Sequence, residues 1–349
     1  MAYIVIFFSL LLLLMAAGIQ LNKKKLRCRN HNYSILIPCR NESANLPRLF
    51  QALDKINYPE ELYEIILVDD ASMDNTNRLL QEFCNRKENA RYFTINVKDS
   101  EFLGKKAALQ MAAEKASHDI LLFTDADCTF APDWLQGFNY FMETGTGFIA
   151  GWVMIKGKNA IARLHALISA GIFAATIGLG IPFSAAGGNM AVTRQAFISV
   201  GGYSKIKNHI SGDDKLLLNI IKKQGYKIRF NPSPAVYTAP VVGRSQRRNR
   251  YRRKYGKFFM SPLLHQLFTL AFLFFFLFLL ICIFFKPLPL LIFYLPSLWI
   301  FYLSSCIKLR QKFGVPDIII LPILPYIMIY YAISAFILGW EWKGVHVRD

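Results

Sequence analysis

Asp125-Ala126-Asp127 closes the apolar run Ile120-Leu121-Leu122-Phe123. Two carboxylates one residue apart, delivered by a buried strand to its carboxyl end, can grip a divalent cation and let it hold a diphosphate. Other polar clusters fall in order around this triplet: Pro38-Cys39-Arg40-Asn41-Glu42, then Val68-Asp69-Asp70-Ala71-Ser72 with Asp74 and Thr76, and later Ser211-Gly212-Asp213-Asp214. Gly104-Lys105-Lys106-Ala107-Ala108-Leu109 and Ala186-Gly187-Gly188-Asn189 lie between them. Each cluster alone has a plainer reading. The Asp125/Asp127 pair suits a solvent-facing turn, and Ser72, Asp74 and Asp213-Asp214 suit helix amino-terminal caps. Lys105 at a helix start complements phosphate, or is a solvated surface lysine. Cys128 beside the pair is a candidate ligand or a small packing residue.

These residues need strands and helices to position them. Residues 34–38 and 64–68 read as β-branched strands, 91–97 as a third, and 120–123 as the strand that carries Asp125. Residues 45–56, with Leu46, Leu49, Phe50 and Leu53 on one side, read as an amphipathic helix, followed by helices at about 74–86 and 105–116. This alternation predicts an α/β fold with a mostly parallel sheet covered by helices. Strands that end in polar or acidic residues line one crevice of such a sheet, where a nucleotide fits.

Of the 349 residues, 54% are hydrophobic, and Phe occurs 29 times. Residues 3–21 form an apolar stretch long enough to span a bilayer, and 263–285, 288–306 and 317–338 form three more. These predict an integral membrane protein. No basic residue precedes the first stretch and Lys23-Lys24-Lys25-Leu26-Arg27 follows it, which favours an uncleaved anchor over a signal peptide. The net charge of +18 concentrates at 23–29, at 244–257 and at Lys308, Arg310 and Lys312, beside apolar spans. Membrane topology accounts for that pattern, so no nucleic-acid partner is expected. The cysteines show no metal-site spacing and fit a reduced compartment. The apolar stretch 160–183 reads either as a fifth span or as a helix packed on the domain or the membrane surface; the second is preferred, because a span would carry Asp213-Asp214 to the other side. Pro316, Pro322 and Pro325 leave the last apolar stretch open between a kinked span and a re-entrant element, and with it the side on which Trp340-Glu341-Trp342-Lys343 lies.

Taken in order, the clusters resemble the membrane-anchored bacterial members of glycosyltransferase family 2, over about residues 33 to 260. The resemblance implies a GT-A fold: an amino-terminal anchor at 1–22, a cytosolic catalytic domain at 30–255, and a carboxyl-terminal membrane region at 261–338 of about three transmembrane or re-entrant helices. The setting it implies is the bacterial inner membrane. The implied reaction is inverting, assisted by Mg2+ or Mn2+, from a nucleotide-diphosphate sugar, expected to be a UDP-sugar, to a lipid-linked or membrane-proximal glycan acceptor. By resemblance Asp127 is the direct metal ligand, and Asp125 sits at the metal or the donor's ribose or sugar. Asp70 or its neighbour Asp69 meets the nucleotide, Pro38, Arg40, Asn41, Glu42 and Lys105 line the donor, and Gly188 and Asn189 lie near the sugar and acceptor. Asp214, with Asp213 beside it, takes the base's position. Gln246-Arg247-Arg248-Asn249-Arg250-Tyr251 is similar to the Gln-x-x-Arg-Trp motif of processive members but shifts its spacing. Arg250 and Tyr251 are expected either at the pyrophosphate or in a juxtamembrane patch that meets anionic lipid. A polyprenyl-phosphate sugar synthase and a non-catalytic membrane scaffold or transporter are the alternatives.

Overall fold

The computed structural model describes residues 2–22, 29–95, 102, 105–157, 159–209, 212–233, 235–239, 243–255, 263–285, 288–342 and 345–347. The basic cluster at 23–27, residues 96–97 of the third expected strand, Gly104, Ser211 and Lys343 lie outside them. The chain forms two compact units, one comprising residues 18–156 and 172–239, the other residues 1–17, 157–171 and 240–349.

In chain order the elements are α1 (Ala2–Leu21), β1 (Tyr33–Cys39), α2 (Leu46–Asp54), β2 (Tyr63–Asp69), α3 (Thr76–Arg86), β3 (Ala90–Thr94), α4 (Lys106–Lys115), β4 (Ile120–Phe123) and β5 (Cys128–Thr129). There follow α5 (Trp134–Asn139), β6 (Thr146–Ala150), β7 (Val153–Ile155), α6 (Ala160–Gly178), β8 (Met190–Thr193), α7 (Arg194–Ser199), α8 (Asp213–Lys223), β9 (Lys227–Phe230) and β10 (Val236–Thr238). The chain continues with α9 (Arg244–Tyr255), α10 (Leu263–Phe285), α11 (Leu295–Leu309), α12 (Asp317–Leu338), β11 (Trp340–Trp342) and β12 (Val345–Val347).

The first unit is built on a seven-stranded sheet ordered β3-β2-β1-β4-β8-β6-β9. β1, β2, β3 and β4 run parallel, and β8 is antiparallel to both of its neighbours. Every residue of β2 and β4 is buried, the mark of a sheet covered on both faces. On one face Ile35, Ile37, Ile65, Leu67 and Leu122 pack with Leu49 and Leu53 of α2, Leu80 of α3 and Trp134 and Phe138 of α5. Phe50 and Phe83 stack there at 4.2 Å. α4 packs over β1 and β2. A smaller sheet, β5-β10-β7, joins Thr238 to the segment just after Asp127.

β6 precedes α6 and β8 follows it, yet the two strands are hydrogen-bonded neighbours, with Phe148 opposite Val192. The chain thus leaves the seven-stranded sheet at β6, runs through α6 and rejoins it at β8. The carboxyl-terminal part of α6 crosses α1 where only glycine fits: a Cβ on Gly178 would strike the carbonyl of Gly18, and the Asn22 amide donates to the Ala174 carbonyl at 2.7 Å.

In the second unit α10, of 23 residues, is followed by a helical pass from Leu290 to Leu309 that opens with one π-helical turn, and then by α12. Among the described residues four helices have the length and hydropathy to cross a membrane: α1, α6, the 290–309 pass and α12.

One buried acid ties the parallel strands to the helix layer. Glu64 on β2 accepts from the Ser34 hydroxyl (2.6 Å), from the Ser117 N–H (2.6 Å) and hydroxyl (2.7 Å), and from Arg91 at 2.5 Å. Burial alone would raise its pKa, but these donors outweigh burial and hold it down at about 2, against an ordinary value of 4.5. The folded state thus prefers the ionised acid, so this stabilisation is complete above pH 4.5 and is lost as pH falls from there towards 2. The shift corresponds to about 3 kcal/mol. Glu64→Gln is expected to lower the stability of the detergent-solubilised protein by about 2–3 kcal/mol at pH 7, with the deficit shrinking below pH 4.5 in thermal unfolding.

Candidate active site

Both motif loops after β1 and β2 leave the sheet through left-handed residues, Asn41 (φ 52°) and Ala71 (φ 50°). The two loops are zipped together. The N–H of Asn41 donates to Ser72 Oγ (2.9 Å), that of Met73 to Asn41 Oδ1 (2.8 Å), that of Glu42 to Thr76 Oγ1 (2.8 Å) and that of Ser43 to Asp74 Oδ2 (3.1 Å). Burial would raise the Asp74 pKa, but hydrogen bonds from Ser43 and Thr76 bring it down to about 2. Glu42 turns to its own helix, accepting from the Asn45 amide at 2.6 Å. Pro38 lies within β1, opposite Val68.

The geometry separates Asp69 from Asp70. Both Asp69 oxygens close the turn, one accepting from the Ser72 N–H (3.2 Å) and the other from the Asn77 amide (3.1 Å). Asp70 makes an ion pair with Arg40 at 3.5 Å, and its side chain keeps only 8% exposure.

The second group assembles at the end of β4, the strand beside β1. Lys105 Nζ lies 2.7 Å from Asp125 Oδ1 and 3.1 Å from Asp213 Oδ2, so one ammonium joins acids 88 residues apart in sequence. Burial alone would lower its pKa, but the charges of Asp125, Asp213 and Asp214 and the Asp125 hydrogen bond hold it well above the usual lysine value. Asp214 is oriented from two sides: Oδ2 accepts from the Gly187 N–H (3.1 Å) and Oδ1 from the Lys215 N–H (2.7 Å). A side chain at either glycine of the Gly187-Gly188 pair would press on the acids beside it. A Cβ on Gly187 would lie 3.2 Å from Asp213 Oδ2, and one on Gly188 3.0 Å from Asp125 Oδ2 and 3.3 Å from Cys128 Sγ.

Asp127 accepts from Thr238 Oγ1 at 2.6 Å and from the Cys128 thiol at 3.6 Å. One ligand atom from each of Asp125, Asp127 and Cys128 lies within 4.8 Å of the others. Two ionised carboxylates at that spacing suit a hard divalent ion such as Mg2+ or Mn2+. Burial and then the neighbouring carboxylates push the Cys128 pKa well up, so the thiol serves as a protonated donor to Asp127.

The structure thus gathers Lys105, Asp125, Asp127, Gly188, Asp213 and Asp214 into one group and Arg40, Asn41, Glu42, Asp69 and Asp70 into another. Both sit at the carboxyl ends of the adjacent strands β2, β1 and β4. Asn189 is fully engaged inside the fold, accepting from Trp134 Nε1 (3.0 Å) and donating to the Trp152 carbonyl (2.8 Å). Arg250 and Tyr251 belong to the second unit, where Tyr251 is buried, stacked on Tyr331 at 4.8 Å and edge-on to His165 at 5.7 Å.

Sequence reasoning missed three participants. Thr238 holds Asp127 from 111 positions away, and no local pattern marks it. Lys106, a lysine with 1% exposure, donates to the His209 carbonyl and fastens the segment leading to Asp213. Tyr203 is fully buried, and its hydroxyl has no hydrogen-bond partner among the described residues; burial and then the charge of Asp213 push its pKa well up. Burial of a lysine and a tyrosine so near an acidic cluster is decided by packing.

Comparison with known proteins places this geometry. The family model described as Glycosyl transferase family 2 matches residues 34–200, and that described as Glycosyl transferase family group 2 matches residues 120–339. The chain is similar to Glycosyltransferase AglE of Haloferax volcanii, 31% identical over 127 residues, covering 36% of this chain and 40% of that protein. It is also similar to the undecaprenyl-phosphate 4-deoxy-4-formamido-L-arabinose transferase of Proteus mirabilis, 32% identical over 101 residues, covering 29% and 30%. The matches thus span well under half the length of these relatives. Among solved structures, the mannosyltransferase PcManGT from Pyrobaculum calidifontis, in complex with GDP-Man and Mn2+, aligns over 97% of this chain and 99% of its own with a TM-score of 0.58 at 16% identity. The fold is therefore of the GT-A type.

Removing the shared cation tests the group as a unit. Lys105→Met leaves Asp125 and Asp213 facing one another without it, and is expected to cost about 1–2 kcal/mol in thermal unfolding at pH 7, allowing for partial exposure.

Proposed function

The chain belongs to glycosyltransferase family 2, and on that premise we propose that it transfers a sugar from a nucleotide-diphosphate sugar to a lipid-linked or membrane-proximal glycan acceptor, with inversion at the anomeric carbon. The observation that carries this reading is Lys105, whose single ammonium draws the Asp125 end of β4 and the Asp213-Asp214 start of α8 to one place. A donor's diphosphate needs cationic and metal-ligating groups and an acceptor needs a base, and the closeness of these acids to one lysine supports assigning them those roles.

In the proposed reaction Asp214 takes the proton from the acceptor hydroxyl as its oxygen attacks the anomeric carbon. The bond from that carbon to the phosphate oxygen breaks on the opposite face, and the electron pair leaves with the nucleoside diphosphate. The N–H groups of Gly187 and Lys215 fix the Asp214 carboxylate while leaving it lone pairs for the proton. Asp127, steadied by Thr238, and Asp125 would hold Mg2+ or Mn2+, which when bound neutralises charge on the diphosphate. Asp70, with Arg40, is assigned to the nucleotide, and Asp69 to the turn that presents it. Gly188 keeps the donor side of Asp125 open, because any Cβ there would crowd it. The basic residues flanking the apolar helices support placing the catalytic unit on the cytosolic face of a bacterial inner membrane.

A second reading, a polyprenyl-phosphate sugar synthase, is favoured by the Proteus mirabilis relative, whose name specifies undecaprenyl phosphate. A phosphate acceptor is already ionised and would need little from Asp214.

The purified full-length protein, offered UDP- and GDP-sugars with Mn2+, is expected to release nucleoside diphosphate, and chelation is expected to stop it. Asp127→Ala and Asp214→Ala are each expected to lower turnover with a hydroxyl acceptor by about 10²- to 10⁴-fold. Turnover unchanged in both variants would overturn the residue roles, and full activity of Asp214→Ala with polyprenyl phosphate would select the second reading.

A further inference from the structure

Helix α1 has the length and hydropathy to cross a bilayer, so its carboxyl end, from Gly18 to Asn22, marks a membrane boundary. The end of α6 is fastened at that level. Asn22 donates to the Ala174 carbonyl, Gly178 lies too close to the Gly18 carbonyl to carry a Cβ, and a Cβ on Gly18 would lie 2.8 Å from the Leu179 side chain. From Ala174 to Gly178 the helix runs back along α1 by one turn, about 6 Å into the end of the apolar stretch.

There α6 stops in a defined turn. Gly180 takes a left-handed φ of 74°, its N–H donates to the Ile177 carbonyl (3.0 Å) and the Ile181 N–H donates to the Thr176 carbonyl (2.9 Å), the pair of bonds that closes a helix on a left-handed glycine. The residue after such a glycine commonly packs an apolar side chain back on the helix, yet Ile181 stays 60% exposed. A hydrogen-bonded turn thus holds an aliphatic side chain outwards at the membrane boundary.

The same segment reaches the acids. Phe183, two residues beyond Ile181, has the Lys215 ammonium over its ring, 4.8 Å from the centroid, and Gly187 donates its N–H to Asp214. Lys215 directly follows Asp214 in α8. Ile181 and Gly187 are six residues apart, at most about 20 Å of chain. One short connection therefore sets in order an apolar side chain at the boundary, a cation seated on an aromatic face, and the carboxylate assigned to the acceptor. A lipid phosphate presents its groups in the same order from the bilayer outwards: hydrocarbon, then anion, then the group that reacts. Lysine serves a phosphate as a point charge, and the ring beneath it fixes where that charge stands.

We propose that Ile181, Phe183 and Lys215 form the acceptor subsite, with Lys215 holding the phosphate of a lipid phosphate whose chain passes Ile181. That phosphate is either the acceptor itself or the link between the lipid and an acceptor sugar. The assignment rests on the reading of Asp214 as the acceptor-side base.

Calorimetry of the full-length protein in detergent micelles, titrated with farnesyl phosphate, farnesol and inorganic phosphate, tests this without turnover. The native chain is expected to bind farnesyl phosphate about tenfold more tightly than either of the others. Lys215→Gln is expected to lose that preference, binding farnesyl phosphate about tenfold more weakly with farnesol unchanged, while Lys215→Arg keeps it. Ile181→Asp, at an exposed position, is expected to weaken farnesyl phosphate by about tenfold and to leave inorganic phosphate unchanged. Farnesyl phosphate held by Lys215→Gln as tightly as by the native chain overturns the proposal, as does a native chain that prefers it to neither farnesol nor inorganic phosphate. If Lys215→Gln fails to fold, native-like binding by Ile181→Asp decides against it in the same way. A native chain that binds farnesyl phosphate but releases no nucleoside diphosphate from any sugar donor overturns the transferase reading alone, so the two failures are distinguishable.

Discussion

Like charges repel, and this site sets four carboxylates close together. Lys105 makes that possible. Its ammonium stands between Asp125, at the end of a strand, and Asp213, at the start of a helix, and the field of Asp214 reaches it as well. The cost of burying the lysine is outweighed by the acids around it, and the mutual repulsion of the acids is relieved by the lysine. This reciprocity binds α4, β4 and α8 into one site, and Lys106, next in the chain, repeats the connection through the His209 carbonyl.

Around this charge cluster the backbone is shaped to let side chains approach. The loops after β1 and β2 each turn through a left-handed residue, Asn41 and Ala71, and then grip one another through four N–H donors. That mutual grip shapes the turn that Asp69 closes. Gly187 and Gly188 act the other way, by leaving out atoms. Without a Cβ, one offers its N–H to Asp214 and the other lies flat against Asp125 and Cys128. A polar site at the edge of a parallel sheet thus comes from hydrogen-bonded loops and from empty space in equal measure.

The membrane-facing unit follows a different economy. Among its described residues, aromatic stacks stand beside a buried carboxylate, Asp317, satisfied by three donors. Where hydrocarbon offers no hydrogen bonds, such a carboxylate is kept only when every partner is in place, which makes it a strong anchor for a helix weakened by prolines.

The amino acid sequence by itself determined the first half of the fold and picked out the acids of the candidate site. Apolar runs of period and length suited to buried parallel strands lie at 34–38, 64–68 and 120–123, and the amphipathic stretches between them became α2, α3 and α4, because local alternation of side chains dictates which face is buried. Asp125, Asp127, Asp213 and Asp214 were legible as an ordered set of acids for a related reason: their spacing is local. Only the tertiary structure decided the rest. β8 entering antiparallel between β4 and β6, Thr238 reaching Asp127, and the part that Asp69 plays in closing its turn all depend on contacts between segments apart in the chain. No window of sequence contains both partners of such a contact, and the free energy that selects it exists only once the sheet has brought them together.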